Sequence, residues 1–267
     1  MKKTLVCLLI AGTLFLAFNP IVGAGGNSDA SVLKVGATPV PHSELLNLIK
    51  ADLKKQGITL EIVEFTDYVQ PNAALISGDI DANFFQHTPY LETNAEWAEK
   101  LVLAFGVHVE PFGLYSRKFN SLDQLPNGAT IAIPNDPTNG GRALLLLQAN
   151  GLITLRSGSG LSATVRDITS NPKNLRFREL EAALLPRALD DVDAATINGN
   201  FALQAGFNPV KDSLIIEGAE SPYVNIVVVQ KGKENDPRII ALKNALLSQK
   251  VKDHIDRNYN GGVVAVF

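Results

Sequence analysis

Sulfur is almost missing from this chain of 267 residues: the one methionine and one cysteine, Met1 and Cys7, both fall within the first seven positions. A single cysteine rules out a disulfide framework. Charge of one sign is also lacking, since 24 lysines and arginines face 27 aspartates and glutamates for a net charge of −3. No stretch concentrates basic residues into a stripe, which argues against nucleic acid as a partner. Catalytic signatures are missing too. There is no H-E-x-x-H or G-x-S-x-G string, and His42, His87, His108 and His254 lack metal-ligand spacing, so neither an enzyme constellation, a metal nor a cofactor is expected. What remains is 46% hydrophobic and 19% charged, an ordinary globular balance. The chain is long enough for one large domain or two lobes of roughly 100 to 120 residues each.

The N-terminus has the pattern of an export signal. Lys2 and Lys3 are followed by an apolar run from Leu5 to Phe18 and by the small residues Val22-Gly23-Ala24. Gly12, Asn19 and Pro20 interrupt the run, which falls short of the roughly 20 residues a membrane-spanning helix needs. Cleavage after Ala24 would remove the only cysteine, the only methionine and two lysines, leaving 22 basic and 27 acidic side chains. Cys7 precedes most of the apolar run, whereas a lipidation cysteine should follow it. The expectation is therefore an exported periplasmic protein without a lipid anchor.

From residue 32 onward strand and helix periods alternate. Strands are expected at Val32–Ala37, Ile58–Phe65, Ile80–Phe85, Leu101–Val109 and Phe112–Ser116, with helices carrying Leu45, Leu46, Ile49 and Leu53, then over Pro71–Ser77 and Pro89–Lys100. A second unit has strands Ala129–Pro134, Val165–Ile168, Val192–Ile197 and Ser213–Ile216, with helices over Thr138–Asn150, Glu181–Leu189 and Gly199–Ala205. The apolar strand Val224–Val229 and helical Asp236–Asp253 have no partners of their own and are expected to return to the first unit. This predicts an α/β protein with two lobes joined by two crossovers around a ligand cleft. The expected limits are residues 1–24 for the signal, 25–31 for a flexible N-terminus, 32–117 plus 225–267 for one lobe and 118–224 for the other. Ligands of such sheets bind beyond the carboxyl ends of strands, at the loops after residues 38, 65, 85, 134, 197 and 223.

Three constellations sit on those loops. In Ile133 to Leu144 a strand runs into a helix start with Thr138 as expected cap and Gly140 and Gly141 open to a ligand. A cation in the first helical turn gains nothing from the helix dipole. Arg142 therefore either grips a carboxylate bidentately or is a solvated surface arginine. Phe65, Tyr68, Phe84, Phe85, His87 and Tyr90 cluster where strands end, and either line an apolar pocket or form a satellite core beneath a loop. Asn198, Asn200 and Asn225 offer donors and acceptors together. Asn200, next to Gly199, has an equally good explanation as a turn residue. Asn225 opens an apolar strand and so requires a partner. The G-x-G-x-x-A string from Gly158 follows a polar turn instead of a buried strand and is set aside as a dinucleotide site.

These strings resemble the methionine-binding lipoproteins of bacterial ABC importers, the NlpA lipoprotein family. The resemblance rests on Val35-Gly36-Ala37-Thr38-Pro39, Pro41-His42, Glu64 to Asn72, Asp81 to His87, Pro134 to Leu147, Leu185-Pro186-Arg187, Ile197 to Asn200 and Ser221 to Asn225. It implies a type II periplasmic binding protein that closes on a free amino acid and delivers it to a permease with a cytoplasmic ATPase. L-Methionine is the expected ligand, with D-methionine, a methionyl dipeptide or another apolar amino acid as alternatives. By position Arg142 would hold the carboxylate, Asn198 and Asn225 would bond the amino and carboxylate groups, and Tyr68, Phe85, His87 and Tyr90 would line the thioether pocket. A monomer is expected, and, with the catalytic motifs missing, not an enzyme. The chain departs from the family pattern where Ala24-Gly25 stands in place of a lipidation cysteine.

Overall fold

The computed structural model describes residues 31–218 and 221–267, so the expected export signal and Cys7 lie outside the described residues. The chain opens with β1 (Ser31–Ala37), α1 (Glu44–Lys55), β2 (Ile58–Glu64), α2 (Gln70–Ser77), β3 (Ala82–His87), α3 (Thr88–Leu91), α4 (Ala95–Lys100) and β4 (Leu101–Val109). It continues through β5 (Gly113–Tyr115), β6 (Thr130–Pro134), α5 (Pro137–Ala149), β7 (Thr154–Leu155), β8 (Ile168–Ser170), β9 (Arg176–Leu180), α6 (Leu185–Ala188) and β10 (Ala194–Ile197). Last come α7 (Gly199–Gln204), α8 (Pro209–Asp212), β11 (Ser213–Ile216), β12 (Val224–Gln230), α9 (Pro237–Leu246), α10 (Gln249–Asn258) and β13 (Val264–Ala265).

Two main sheets result, ordered β13-β4-β12-β3-β1-β2 and β11-β5-β10-β6-β9. In the first, β1 is parallel to β2 and β3, while β12 runs antiparallel between β3 and β4. The apolar strand beyond residue 224 is thus the return strand, as its lack of nearby partners implied. Its side chains alternate between two cores: Val227 and Val229 join the one beneath α1, α9 and α10, and Ile226 and Val228 join the one with Leu75 and Leu101. A strand covered on both faces reads as an unbroken apolar run. The second sheet is covered on both faces likewise, with Ile131 and Ile133 of β6 in one core and Ala132 in the other.

Helix α1 forms because Leu45, Leu46, Ile49 and Leu53 recur on one face, and all four are fully buried. Each burial is worth about 1.5–3 kcal/mol. Gly57, at φ +78°, turns the chain out of the helix into β2. The chain passes between the sheets twice, over residues 110–112 and again between the end of β11 and the start of β12.

Several local expectations differ. The strand expected over Phe112–Ser116 is β5, which pairs with β10 and β11 in the second sheet, so the chain leaves the first sheet before residue 117. The helix expected over Pro89–Lys100 is two, because Asn94 accepts hydrogen bonds from the backbone of Glu96 and Trp97 and starts α4 anew. Asp236–Asp253 also divides, with Ser248 opening α10. Val165–Asp167 is a 3-10 turn closed by Thr164 and Asp167, and the strand begins only at Ile168. Glu181–Leu189 shortens to a 3-10 turn and α6.

The glycines at the start of α5 do not open the backbone to a ligand. A Cβ on Gly141 would stand 2.1 Å from the Leu161 carbonyl oxygen, and one on Gly140 would stand 3.0 Å from the Pro134 oxygen. They let chain pack on chain. The cap is Asp136, which accepts the backbone N–H of Asn139, not Thr138. Because backbone cannot yield as a side chain can, Gly141→Ala should destabilise the fold by about 1–3 kcal/mol in urea unfolding. A variant as stable as the parent would show that the 160–162 turn gives way freely.

Candidate functional site

The carboxyl ends of the strands converge on a cleft between the sheets. All seven residues singled out from the sequence line it: Tyr68 from the loop after β2, Phe85 and His87 from β3, Tyr90 from α3, Arg142 from α5, Asn198 before α7 and Asn225 from β12. Phe65 and Phe84 do not. They pack into the two cores of the first sheet.

One wall is aromatic. Tyr68, Phe85 and Tyr90 have centroid separations of 5.8–6.1 Å, and Phe201 closes on Tyr68 at 5.0 Å. Tyr90 donates its hydroxyl to the Tyr68 carbonyl at 3.0 Å, which fixes the loop carrying Tyr68. Tyr68 donates in turn to Asn200 Oδ1 on the opposite side of the cleft. This leaves Asn200 Nδ2 buried without a protein partner among the described residues.

The opposite end is cationic. Arg142 is 4% exposed and lies between the rings of Tyr223, at 4.1 Å, and Phe112, at 4.9 Å. Its Nε donates to Glu217 Oε1 at 2.7 Å, and its Nη2 donates to Glu217 Oε2 and, at 3.0 Å, to the Glu110 carbonyl. Of the two readings left open by the sequence, the solvated surface arginine is excluded by this burial.

Amide orientations in the cavity follow from one carboxylate. Both oxygens of Asp136 accept from Asn139 Nδ2, so Asn139 Oδ1 faces the cleft. There it accepts from Asn198 Nδ2 at 2.8 Å and meets His87 Nε2 at 3.3 Å. Asn198 Oδ1 is left buried and unpartnered among the described residues. His87 Nδ1 accepts the backbone N–H of Tyr90, so its Nε2 carries the proton.

Behind the cavity lies a cluster that local spacing did not reveal. Glu110 Oε1 is 2.8 Å from His108 Nε2 and 3.3 Å from His42 Nε2. His42 also reaches Thr38 at 2.8 Å and Asn225 Oδ1 at 3.1 Å. The three groups have the donor types of a metal site. Yet bonds of about 2.0–2.1 Å in a tetrahedral site would separate ligand atoms by about 3.3 Å. The shorter His108–Glu110 contact is that of a hydrogen bond. Gly199 permits this approach, since a Cβ there would stand 2.6 Å from Glu110 Cβ. A carboxylate in the apolar run Val107 to Phe112 requires partners, and that was the available signal for Glu110. Asn139, Glu217 and Tyr223 carry no comparable local signal.

Burial drives the imidazoles toward their neutral forms: His42 titrates near about 4, and His87 and His108 near about 3, with the Arg142 charge adding to the effect on His87. Burial pushes the Glu110 carboxyl up from its ordinary value, against the pull of His42, Arg142 and the Asn200 N–H.

A family model described as NlpA lipoprotein matches residues 33–267. The chain is 45% identical over 266 residues to the membrane lipoprotein TpN32 of Treponema pallidum, covering 99% of both. It is 43% identical to the D-methionine-binding lipoprotein MetQ of Escherichia coli, covering 91% of this chain and 92% of that one. Among solved structures, a nutrient binding protein from Burkholderia cenocepacia bound to methionine aligns with a TM-score of 0.85 and 47% identity, over 88% of this chain and all of that one.

Between pH 6.5 and the lowered folded values, the unfolded chain binds protons on its imidazoles that the folded chain refuses, so stability falls as pH drops through that window. Glu110, with its raised carboxyl, opposes this just above the ordinary glutamate value. Replacing His108 by Gln should therefore remove up to about 1.4 kcal/mol per pH unit of the loss between pH 6.5 and 4. Urea unfolding across that range measures the slope, and an unchanged slope would place the proton uptake elsewhere.

Proposed function

We propose, because this chain belongs to the NlpA lipoprotein family, that it is an extracytoplasmic substrate-binding protein of an ABC importer whose cleft takes free methionine. The observation that carries this reading is the polarity of the cavity. Arg142, whose Nε and Nη2 are held by Glu217 and the Glu110 carbonyl, has its Nη1 and its charge for a carboxylate, as does the unpartnered Asn200 Nδ2 its N–H groups. The unpartnered Asn198 Oδ1 and the carboxylate of Glu110 suit an ammonium group. Asn225, whose Oδ1 is held by His42, has its Nδ2 for the ligand. Tyr68, Phe85, His87 and Tyr90 would then receive the unbranched side chain, where aromatic edges favour a thioether by about 0.3–1.5 kcal/mol.

L-Methionine is the ligand of choice. The name of the Escherichia coli relative favours D-methionine as the second reading. The lobes closing on it are proposed to follow the two sheets, with delivery by a monomer to a permease driven by a cytoplasmic ATPase. Among the described residues no helix is long and apolar enough to cross a membrane. Processing after Ala24 belongs to the proposal.

Titration calorimetry with L- and D-methionine tests it. The chain should bind one of them, and Arg142→Ala should lose about 2–5 kcal/mol of binding as the buried carboxylate loses its partner. At a hundredfold excess over its dissociation constant the ligand should stabilise the fold by about 2.7 kcal/mol. Unaltered affinity in the variant would refute the role given to Arg142.

A further inference from the structure

The polar wall of the cavity is oriented through a single amide that no local sequence pattern marks. We propose that Asn139 sets the polarity of this wall and thereby selects ligands bearing a 2-ammonium group over the 2-oxo and 2-hydroxy acids of the same carbon skeleton. This rests on the reading of the cleft as an amino-acid site.

The Asp136 carboxylate only accepts, so its contacts with Asn139 at 2.9 and 3.0 Å are both N–H donations and the Asn139 amide cannot turn over. Its oxygen therefore faces the cleft and takes the Asn198 N–H at 2.8 Å. It also takes the Nε2–H of His87 at 3.3 Å, and His87 has no freedom to reverse because Nδ1 already accepts from Tyr90. With Nδ2 held toward Asn139, the Asn198 amide is fixed in orientation and presents its oxygen on the other side, buried and without a partner among the described residues. A buried acceptor without a donor is costly, and an ammonium group supplies one. A 2-oxo acid would set a carbonyl oxygen against Asn198 Oδ1, and a 2-hydroxy acid would bring one O–H and no charge to a cavity that also holds Glu110. Asn139 is 1% exposed and acts on the ligand through Asn198 and His87, so it is a positioning residue.

Calorimetry on the purified chain with methionine, 4-methylthio-2-oxobutanoate and 2-hydroxy-4-methylthiobutanoate tests the proposal. The parent should bind the oxo acid at least about a hundredfold more weakly than methionine. Asn139→Leu keeps the branching at Cγ and leaves the backbone N–H at position 139 capped by Asp136, but frees the Asn198 amide to turn. Methionine affinity should fall about tenfold or more while oxo-acid affinity does not, so the ratio drops at least about tenfold. Equal weakening of both ligands by Asn139→Leu would reduce Asn139 to a structural part and overturn the proposal. So would equal binding of oxo acid and methionine by the parent, a result that needs no variant to fold. If the parent binds no methionine at all, the amino-acid reading itself fails, which is a distinct outcome.

Discussion

A buried guanidinium is the constraint around which this molecule is arranged. Arg142 sits in α5 at 4% exposure, where an uncompensated cation would be prohibitively costly. Among the described residues its compensation comes from the two stretches that pass between the sheets: the Glu110 carbonyl and the Phe112 ring on one, the Glu217 carboxylate and the Tyr223 ring on the other. Glu217 and Phe112 are themselves joined by a backbone hydrogen bond of 2.8 Å. The arginine, carried by the second sheet's helix, is therefore satisfied only when both crossovers are in register beside it. A group proposed to hold the ligand's carboxylate is the same group that fixes how the two sheets meet.

The neutral polar groups follow the same logic of prior commitment. Asp136 orients Asn139, Asn139 orients Asn198 and His87, and Tyr68 orients Asn200, before any ligand arrives. Amides fixed by protein partners need not reorganise on binding, which lowers the entropic cost of association. The same fixity implies discrimination, because the wrong partner meets a lone pair that cannot turn away. Neutral histidines belong to this scheme. His42 and His87, both titrating well below 6.5, serve as hydrogen-bonding struts of defined tautomer between loops of different strands.

Much of this was legible in the amino-acid order because it depends on period and on place. The return of β12 to the first sheet follows from an apolar run with no neighbour to pair with. The seven lining residues follow from polar and aromatic side chains placed after strand ends. What escaped was whatever depends on distant partners. Strand β9 reads Arg176-Phe177-Arg178-Glu179-Leu180, polar because it lies at a sheet edge with little of it buried. Gly140 and Gly141 have the composition of a ligand-approach turn, and only the positions of the Pro134 carbonyl and of Leu161, twenty residues beyond Gly141, show that they admit chain. Asn139 is indistinguishable from any first-turn amide until Asn198, 59 residues later, is brought to 2.8 Å.

The two ends of the cavity differ in how strictly they can choose. A thioether against aromatic edges gains about 0.3–1.5 kcal/mol over an alkyl chain, which is at most roughly a tenfold preference. A buried amide or carboxylate left without its partner costs about 1–3 kcal/mol or more, and the wall contains several such groups acting together. Selectivity for the amino-acid frame should therefore greatly exceed selectivity for sulfur in the side chain. The aromatic wall is also the side where the cleft is tied through Tyr68, which reaches Asn200 and the Phe201 ring, whereas the polar end is tied through Arg142, Glu110 and Asn139 at once. A side chain somewhat longer or differently substituted asks Tyr68 to move, but a ligand without the zwitterion asks the whole polar end to rearrange.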